Sequence, residues 1–423
     1  MDIFEIEGPV RLEGEIEVAG SKNSTLPIMA AMILPGGVST IPNAPYLADI
    51  ASFETLLESM GARVERTADG ALQIDSGPLD RPVGDYDIVR KIRASICILG
   101  PLLARFGKAR VSMPGGCAIG DRPVDIHLRG LRALGARIHL EQGYIVAEAP
   151  AGGLVGTQIF LGGPFGTTVL GTDNVMMAAV LAKGTTVIES AACEPEVADL
   201  ANCLNAMGAK ISGIGSPRLV IEGVRHLNPV SYSVIGDRIE AGTFMAAAAI
   251  TRGCLRIRNC PIHQMLAVTD RLRHIGLTVE EGPGECTVRY EGQLLPADIT
   301  TQPYPGFPTD LQAQFMALLA LAKGNSVITE KIFPDRFMHV AELNRMAAHL
   351  RKEGSSVIVE GVEKLIGAPV MASDLRASAA LVLAGMAAHG LTTVQRVYHI
   401  DRGYEKIEEK LNRVGAKIKR LAV

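Results

Sequence analysis

The sequence predicts an α/β protein of two domains, each with pseudo-threefold symmetry from three repeated α/β units, six units in all. Three observations lead there. The chain has 423 residues, 48% hydrophobic and 21% charged, so it is globular and too long for one comfortable core. A helix-end pattern, Leu-x-x-apolar-Gly-Ala-x-apolar, recurs with variations. It reads "LESMGARV" at 57–64, "LRALGARI" at 131–138, "LNAMGAKI" at 204–211, "LRHIGLTV" at 272–279, "LRKEGSSV" at 350–357 and "LNRVGAKI" at 411–418. A second series interleaves with it: an Ala-rich apolar helix, a glycine at 37, 107, 184, 253, 324 or 390, then a β-type run. Both series step by about seventy residues, longer than common solenoid repeats.

Each unit should therefore hold two helices and several strands. The first-series glycines, 61, 135, 208, 276, 354 and 415, fit helix C′ positions, where glycine takes the left-handed conformation at little cost before a strand. The second series closes helices that are apolar almost all round and so should be buried. With aromatics at 4% and no Trp, their core must be Ala, Val, Ile, Leu and Met.

Fourteen residues before each second-series glycine stand Asn23, Arg93, Leu170, Ile239, Asp310 and Arg376, near the start of each buried helix. Four of the six are polar or charged. Helix N-termini attract anions, and an added arginine grips carboxylate or phosphate in bidentate fashion. The plain alternative for any one of them is a capping or solvated residue. As a set in one register they predict a cleft between two domains, lined by helix starts and rich in positive charge. Asp-Arg dipeptides add to it: Asp121–Arg122, Asp335–Arg336 and Asp401–Arg402, the last two at identical offsets from Gly324 and Gly390. With Lys22 they suggest a cluster of cations for a small, multiply charged anion, such as a phosphate-bearing carboxylate.

Several classes are disfavoured. A net charge of −3 without a basic run leaves no nucleic-acid footprint. Apolar runs are too short for a membrane span. The start "MDIFEIEG" lacks a signal peptide's basic region. Seven cysteines without a C-x-x-C pair suit a reducing cytosol, and a cytoplasmic protein is expected. There is no H-x-x-x-H, no G-x-x-x-x-G-K-[ST] and no well-placed G-x-G-x-x-G, so no metal and no nucleotide-triphosphatase or dinucleotide chemistry is predicted. One loop stands apart: "MPGGCAIGDRPVD" at 113–125 sets Cys117 among three glycines within three residues on either side. A free cysteine is usually a buried filler, the reading that suits Cys97, Cys203 and Cys254.

Across essentially the whole chain the sequence resembles the enolpyruvyl transferases. The resemblance rests on "GSKNSTLP", "KIRASICILGP", "PGGCAIGDRPVDIH", "ACEPEVADL", "DRIEAGTF", "YPGFPTDLQAQ", "FPDRFMHVAEL", "SDLRAS" and "HIDRGYE". It implies a two-domain inside-out α/β barrel with two chain crossings, near Gly20 and shortly before Asp237. The domains would take residues 22–234, with the Cys117 loop, and residues 1–21 with 235–423, and the active site would lie in the interdomain cleft. The branch most resembled transfers the enolpyruvyl group of phosphoenolpyruvate to the 3-hydroxyl of UDP-N-acetylglucosamine, releasing phosphate, as the first committed step of peptidoglycan synthesis. No metal, organic cofactor or obligatory protein partner is implied.

By the same resemblance Cys117 is the general acid, its thiol mostly protonated at neutral pH, and Asp310 the general base; each role is worth about 10²–10⁴-fold. Flanking glycines make the thiol's loop a lid. Lys22, Arg122 and Arg402 match the phosphoenolpyruvate ligands and belong with the catalytic set. Asn23, Arg336, Asp374 and Arg376 match residues around the same pocket. Asn23, Arg93, Arg122, Pro123, Val124, Asp125, Ile126, Thr168, Val169, Asp310 and Ile332 match the nucleotide-sugar contacts. One departure bears on the acceptor. Where the family usually reads Ser-Val-Gly-Ala-Thr, this chain reads Thr168, Val169, Leu170, Gly171, Thr172, which sets a leucine where backbone approaches a diphosphate, or else moves the glycine by one. Transfer to another nucleotide acceptor in specialised metabolism, and a non-catalytic nucleotide-sugar-binding regulator, therefore stay open.

Overall fold

The computed structural model describes residues 2–114, 124–164 and 166–422. It divides into two compact units that the chain enters and leaves between residues 19 and 20 and between 235 and 236. Each unit is built the same way, around three inner helices.

In the unit formed by residues 2–19 and 236–422 these are Arg238–Ile250, Gln312–Leu319 and Leu375–Ala387. In the other unit Lys22–Ala31, Leu99–Phe106 and Val169–Ala179 take their place. All thirteen residues of Arg238–Ile250 are buried. Its "MAAAAI" run explains how: alanine costs little side-chain entropy in a helix and lets neighbouring helices approach. The three helices of each unit pack on one another, with the sheets outside them. Each unit is thus an inside-out α/β barrel.

Three sheets surround each helix trio. The third repeat shows the rule. Gln158–Phe160 runs parallel to Thr185–Glu189, Arg218–Glu222 pairs antiparallel with that strand, and Lys210–Ser212 forms the far edge. An inner helix connects the parallel pair, and an outer helix, Pro195–Ala206, connects the next two strands. Alternating burial along the strands, as in Arg218–Glu222, puts one face on the helices and the other outward.

Two repeats are completed from far along the chain. The sixth sheet orders Pro369–Met371, Gly390–Gln395, Asp2–Gly8 and Ile418–Ala422, so the first strand of the chain sits between two of the last. The fourth sheet takes Glu13–Glu17 as its parallel strand beside Cys254–Arg258. The first sheet has three strands, and a single parallel bridge between Thr40 and Ser231 stands where the fourth would be.

Five of the six first-series glycines end outer helices as expected: Gly61, Gly135, Gly208, Gly276 and Gly415 have φ of +97° to +108°. The fifth repeat differs. Its outer helix His339–Arg345 is followed by Ala347 at φ +64°, whereas Gly354 lies in the hairpin turn between His349–Glu353 and Ser356–Glu360. The match of "LRKEGSSV" to the helix-end pattern is one of spacing only. The true counterpart is "LNRMAAHL", in which an alanine accepts the left-handed conformation at a cost of roughly 1–2 kcal/mol.

Candidate active site

The six positions fourteen residues before the second-series glycines all fall in the first turn of an inner helix or of the 3₁₀ turn leading into it. Four inner helices carry a side-chain cap. Ser21 Oγ accepts from Ser24 N, Thr168 Oγ1 from Gly171 N, Asp237 Oδ1 from Ile239 N and Glu240 N, and Asp374 Oδ1 from Arg376 N and Ala377 N. The other two open with 3₁₀ turns, Arg93–Ile98 and Thr309–Leu311, that lack one. Asp310 is therefore not the N-cap that its place in the sequence allows; its carboxylate is committed elsewhere.

That commitment is to two arginines. Arg336 Nη1 lies 2.7 Å from Asp310 Oδ1, and Arg376 Nη2 lies 3.0 Å from Oδ2. Two neighbouring repeats contribute these side chains, Asp310 and Arg336 from the fifth and Arg376 from the sixth. Both arginine side chains are almost fully buried, while that of Asp310 keeps 27% of its surface exposed. Arg376 also donates to Tyr404 Oη at 3.2 Å and lies over that ring. Tyr404 Oη shares hydrogen bonds with Thr243 Oγ1 at 2.8 Å and Gln314 Nε2 at 3.3 Å. Burial opposes the charge on Arg376, yet Asp310 and Tyr404 hold its pKa above the ordinary arginine value. The guanidinium is a fixed cation, held by Asp310 and by the buried Tyr404 hydroxyl.

Asp374 and Arg402 belong to the same end of this unit. Asp374 caps the helix that starts with Leu375 and Arg376. Arg402 ends the 3₁₀ turn Val397–Arg402 and is half-buried. His399 is subject to the charge of both, its pKa lowered first by burial and then by Arg402. His339 sits between Arg336 and Asp374 in charge terms; burial lowers its pKa to about 4. Ile332, half-buried, donates its backbone N–H to Glu330 Oε1 at 2.8 Å.

The other unit gathers a second set. Lys22 Nζ lies 2.6 Å from Asp49 Oδ2, with side-chain exposures of 10% and 6%. Asn23 follows it, half-buried. Arg93 is half-buried, and its charge bears on the buried His127, whose pKa falls to about 3 mainly through burial. Val124 is buried, and Asp125 and Ile126 open the helix Asp125–Ala133. Thr168 and Val169 are half-buried at the start of the third inner helix. Leu170 is turned partly into the core. A Cβ on Gly171 would come within 2.5 Å of Thr168 Cγ2, so the threonine cap leaves little room for a side chain at this position. Cys117, Arg122 and Pro123 lie outside the described residues.

Sequence reasoning did not include Asp49, Glu330 or Tyr404. Glu330 ends the strand run "NSVITE" and is fully buried; a lone acid closing a buried strand was the available signal. Asp49 and Tyr404 carry no pattern of their own. Among the described residues no group of three or more His, Cys, Asp and Glu side chains could hold a metal ion, and no helix is long and apolar enough to cross a membrane.

This arrangement has known counterparts. A family model described as EPSP synthase (3-phosphoshikimate 1-carboxyvinyltransferase) matches residues 6–411. The chain belongs to the EPSP synthase family. Within that family it is similar to proteins named UDP-N-acetylglucosamine 1-carboxyvinyltransferase. That of Methylacidiphilum infernorum (isolate V4) is 53% identical over 421 residues, 100% of this chain and 99% of the relative. That of Desulfovibrio desulfuricans (strain ATCC 27774 / DSM 6949 / MB) is 54% identical over 421 residues, 99% of each chain. The crystal structure of the enolpyruvyl transferase NikO from Streptomyces tendae superposes with a TM-score of 0.90 at 26% identity, covering 100% of this chain and 99% of that one. EPSP synthase from Acinetobacter baumannii, at 20% identity and a TM-score of 0.75 over the full length of both chains, shares the fold. The family and fold that the motifs indicated are thereby established.

Proposed function

We propose that the protein is a UDP-N-acetylglucosamine 1-carboxyvinyltransferase, transferring the enolpyruvyl group of phosphoenolpyruvate to the sugar 3-hydroxyl with release of phosphate. The observation that carries this is identity of 53% along the whole chain to relatives of that name. The geometry of Asp310 supports it. A base for the sugar hydroxyl must be an ionised carboxylate, and two guanidinium partners favour that form. Its exposed quarter leaves an edge for an alcohol to reach.

In this reading Asp310 takes the proton of the 3-hydroxyl as its oxygen bonds to the donor's C2, and Cys117 protonates the methylene carbon. The C2–oxygen bond to phosphate then breaks while a proton leaves the methyl group, which restores the double bond. Lys22, Arg122 and Arg402 would hold the phosphate and carboxylate of the donor. Arg336, Asp374 and Arg376 would shape the pocket around them, with Asn23 beside Lys22. Arg93, Pro123, Val124, Asp125, Ile126, Thr168, Val169 and Ile332 would contact the nucleotide-sugar. Thr168 and Gly171 support a diphosphate loop, because the cap leaves Leu170 turned partly into the core. The reaction belongs to cytoplasmic peptidoglycan synthesis, and thus to cell shape and division.

Full-length relatives that share one name favour UDP-N-acetylglucosamine over another nucleotide acceptor. A non-catalytic regulator should have lost part of the charged set, yet Lys22, Cys117, Arg122, Asp310, Arg336, Asp374, Arg376 and Arg402 are all present. Phosphate release from phosphoenolpyruvate, with and without UDP-N-acetylglucosamine, tests the proposal. Release that needs the nucleotide-sugar supports it. Release with a different nucleotide only removes the acceptor, and none with any acceptor removes the enzyme.

A further inference from the structure

We propose that Glu330 is a positioning residue for the transfer: its carboxylate sets the direction of a hydrogen-bond relay that aims Arg336 at Asp310. The inference rests on the reading of Asp310 as the base. Glu330 follows the strand Asn325–Thr329 and has no exposed surface. Its carboxylate accepts four hydrogen bonds. Oε1 takes them from Thr301 Oγ1 at 2.6 Å, Ile332 N at 2.8 Å and Phe333 N at 3.0 Å, and Oε2 takes one from Thr309 Oγ1 at 2.8 Å.

An ionised carboxylate only accepts, so each of these partners must donate. Thr309 has one hydroxyl hydrogen, and Glu330 claims it. The threonine oxygen then offers only lone pairs, and Arg336 Nη1 donates to one of them at 3.0 Å. The same nitrogen donates to Asp310 Oδ1 at 2.7 Å. The relay therefore runs one way, from Arg336 through Thr309 to Glu330. Both peptide segments that carry the ion pair are anchored on this one carboxylate: Thr309 precedes Asp310 directly, and Phe333 lies three residues before Arg336.

An amide in place of the carboxylate breaks the direction. Its NH₂ must face either the Ile332 and Phe333 N–H groups or the Thr309 hydroxyl. The first orientation sets donor against donor. The second makes Thr309 an acceptor for the amide, competing with Arg336 and sending the hydroxyl proton back toward the Asp310–Arg336 pair. A misplacement of about 1 Å at a reacting group can cost about 10²-fold in rate.

The test uses the full-length chain carrying Glu330→Gln, Thr309→Val, both together, or Thr309→Ser. Each of the first two should lower kcat for phosphate release about 10- to 100-fold and leave KM for UDP-N-acetylglucosamine within about twofold. The double variant should be no worse than the poorer single one, because both break one relay. Thr309→Ser, which keeps the hydroxyl, should recover most of the rate. Wild-type kcat in Thr309→Val, or losses that multiply in the double variant, would overturn the proposal. If Glu330→Gln does not fold, Thr309→Val and Thr309→Ser decide the matter between them. A crystal structure of Thr309→Val gives a readout free of turnover. Displacement of Arg336 from Asp310 supports the relay even if the transfer reading fails, and an unmoved pair sinks it.

Discussion

Arg376 and Asp310 meet 3.0 Å apart, the arginine side chain 4% exposed and the aspartate 27%. They come from the starts of two inner helices, in the fifth and sixth repeats. A cation fixed in the interior thus meets a carboxylate with one accessible edge, and Arg336 holds the other oxygen. The charge of the base is secured from behind while its front stays reachable.

Removing Asp310 leaves two buried guanidinium groups facing one another. Asp310→Ala should lower unfolding stability by about 3–5 kcal/mol, as breaking a buried pair does, read from denaturant curves. Asp310→Asn should fold but lose about 10²–10⁴-fold in kcat with loss of the base. Near wild-type turnover in Asp310→Asn would remove Asp310 from the chemistry.

Alkylation tests the Cys117 loop directly. Burial pushes the thiols of Cys97, Cys193 and Cys203 up, so they should react slowly at neutral pH. A mild alkylating agent should label Cys117 before these three, read by peptide mass spectrometry, and turnover should fall in step. Cys117→Ser should nearly abolish turnover, while Cys117→Asp should retain much of it and resist alkylation. An unimpaired Ser variant would refute the acid role.

The histidine near the ion pair predicts a pH dependence of stability. Burial holds folded His339 at about 4, against an ordinary value of 6.5. Above pH 6.5 neither state binds the proton and nothing is lost. As pH falls from 6.5 toward 4, the unfolded chain binds a proton that the native chain refuses, so stability declines. At about 1.4 kcal/mol per pH unit His339 alone removes roughly 3 kcal/mol over that window. His339→Gln should therefore show a shallower decline than wild type between pH 6.5 and 4. Parallel curves would contradict this.

The acceptor loop is tested at its cap. Thr168→Ala should cost about 1 kcal/mol of stability. Gly171→Ala should cost at least as much, since its Cβ would fall 2.5 Å from Thr168 Cγ2. Both should raise KM for UDP-N-acetylglucosamine more than they lower kcat. Unchanged KM would take this loop out of the acceptor site.

The repeats were legible because glycine spacing and all-round apolar helices are local signals. Gly354 misled because hairpin and helix-end glycines share a left-handed backbone; Ala347 holds the position that the pattern assigned to a glycine. The insertion of Asp2–Gly8 into the sixth sheet leaves no local trace, since it pairs residues from opposite ends of the chain. The dipeptide at 335–336 pointed to an arginine that pairs with Asp310, but in the two described dipeptides the aspartate turns to another partner. Asp335 faces Lys352 at 3.6 Å and Asp401 faces Arg420 at 2.6 Å. Asp49 and Glu330 were missed because a single carboxylate announces its partner only once the chain has folded.

The most direct test is the structure of the product. After incubation with phosphoenolpyruvate and UDP-N-acetylglucosamine, NMR should show an enolpyruvyl ether at the sugar 3-oxygen, with one phosphate released per ether formed. Unchanged nucleotide-sugar, or phosphate released without the ether, would contradict the account.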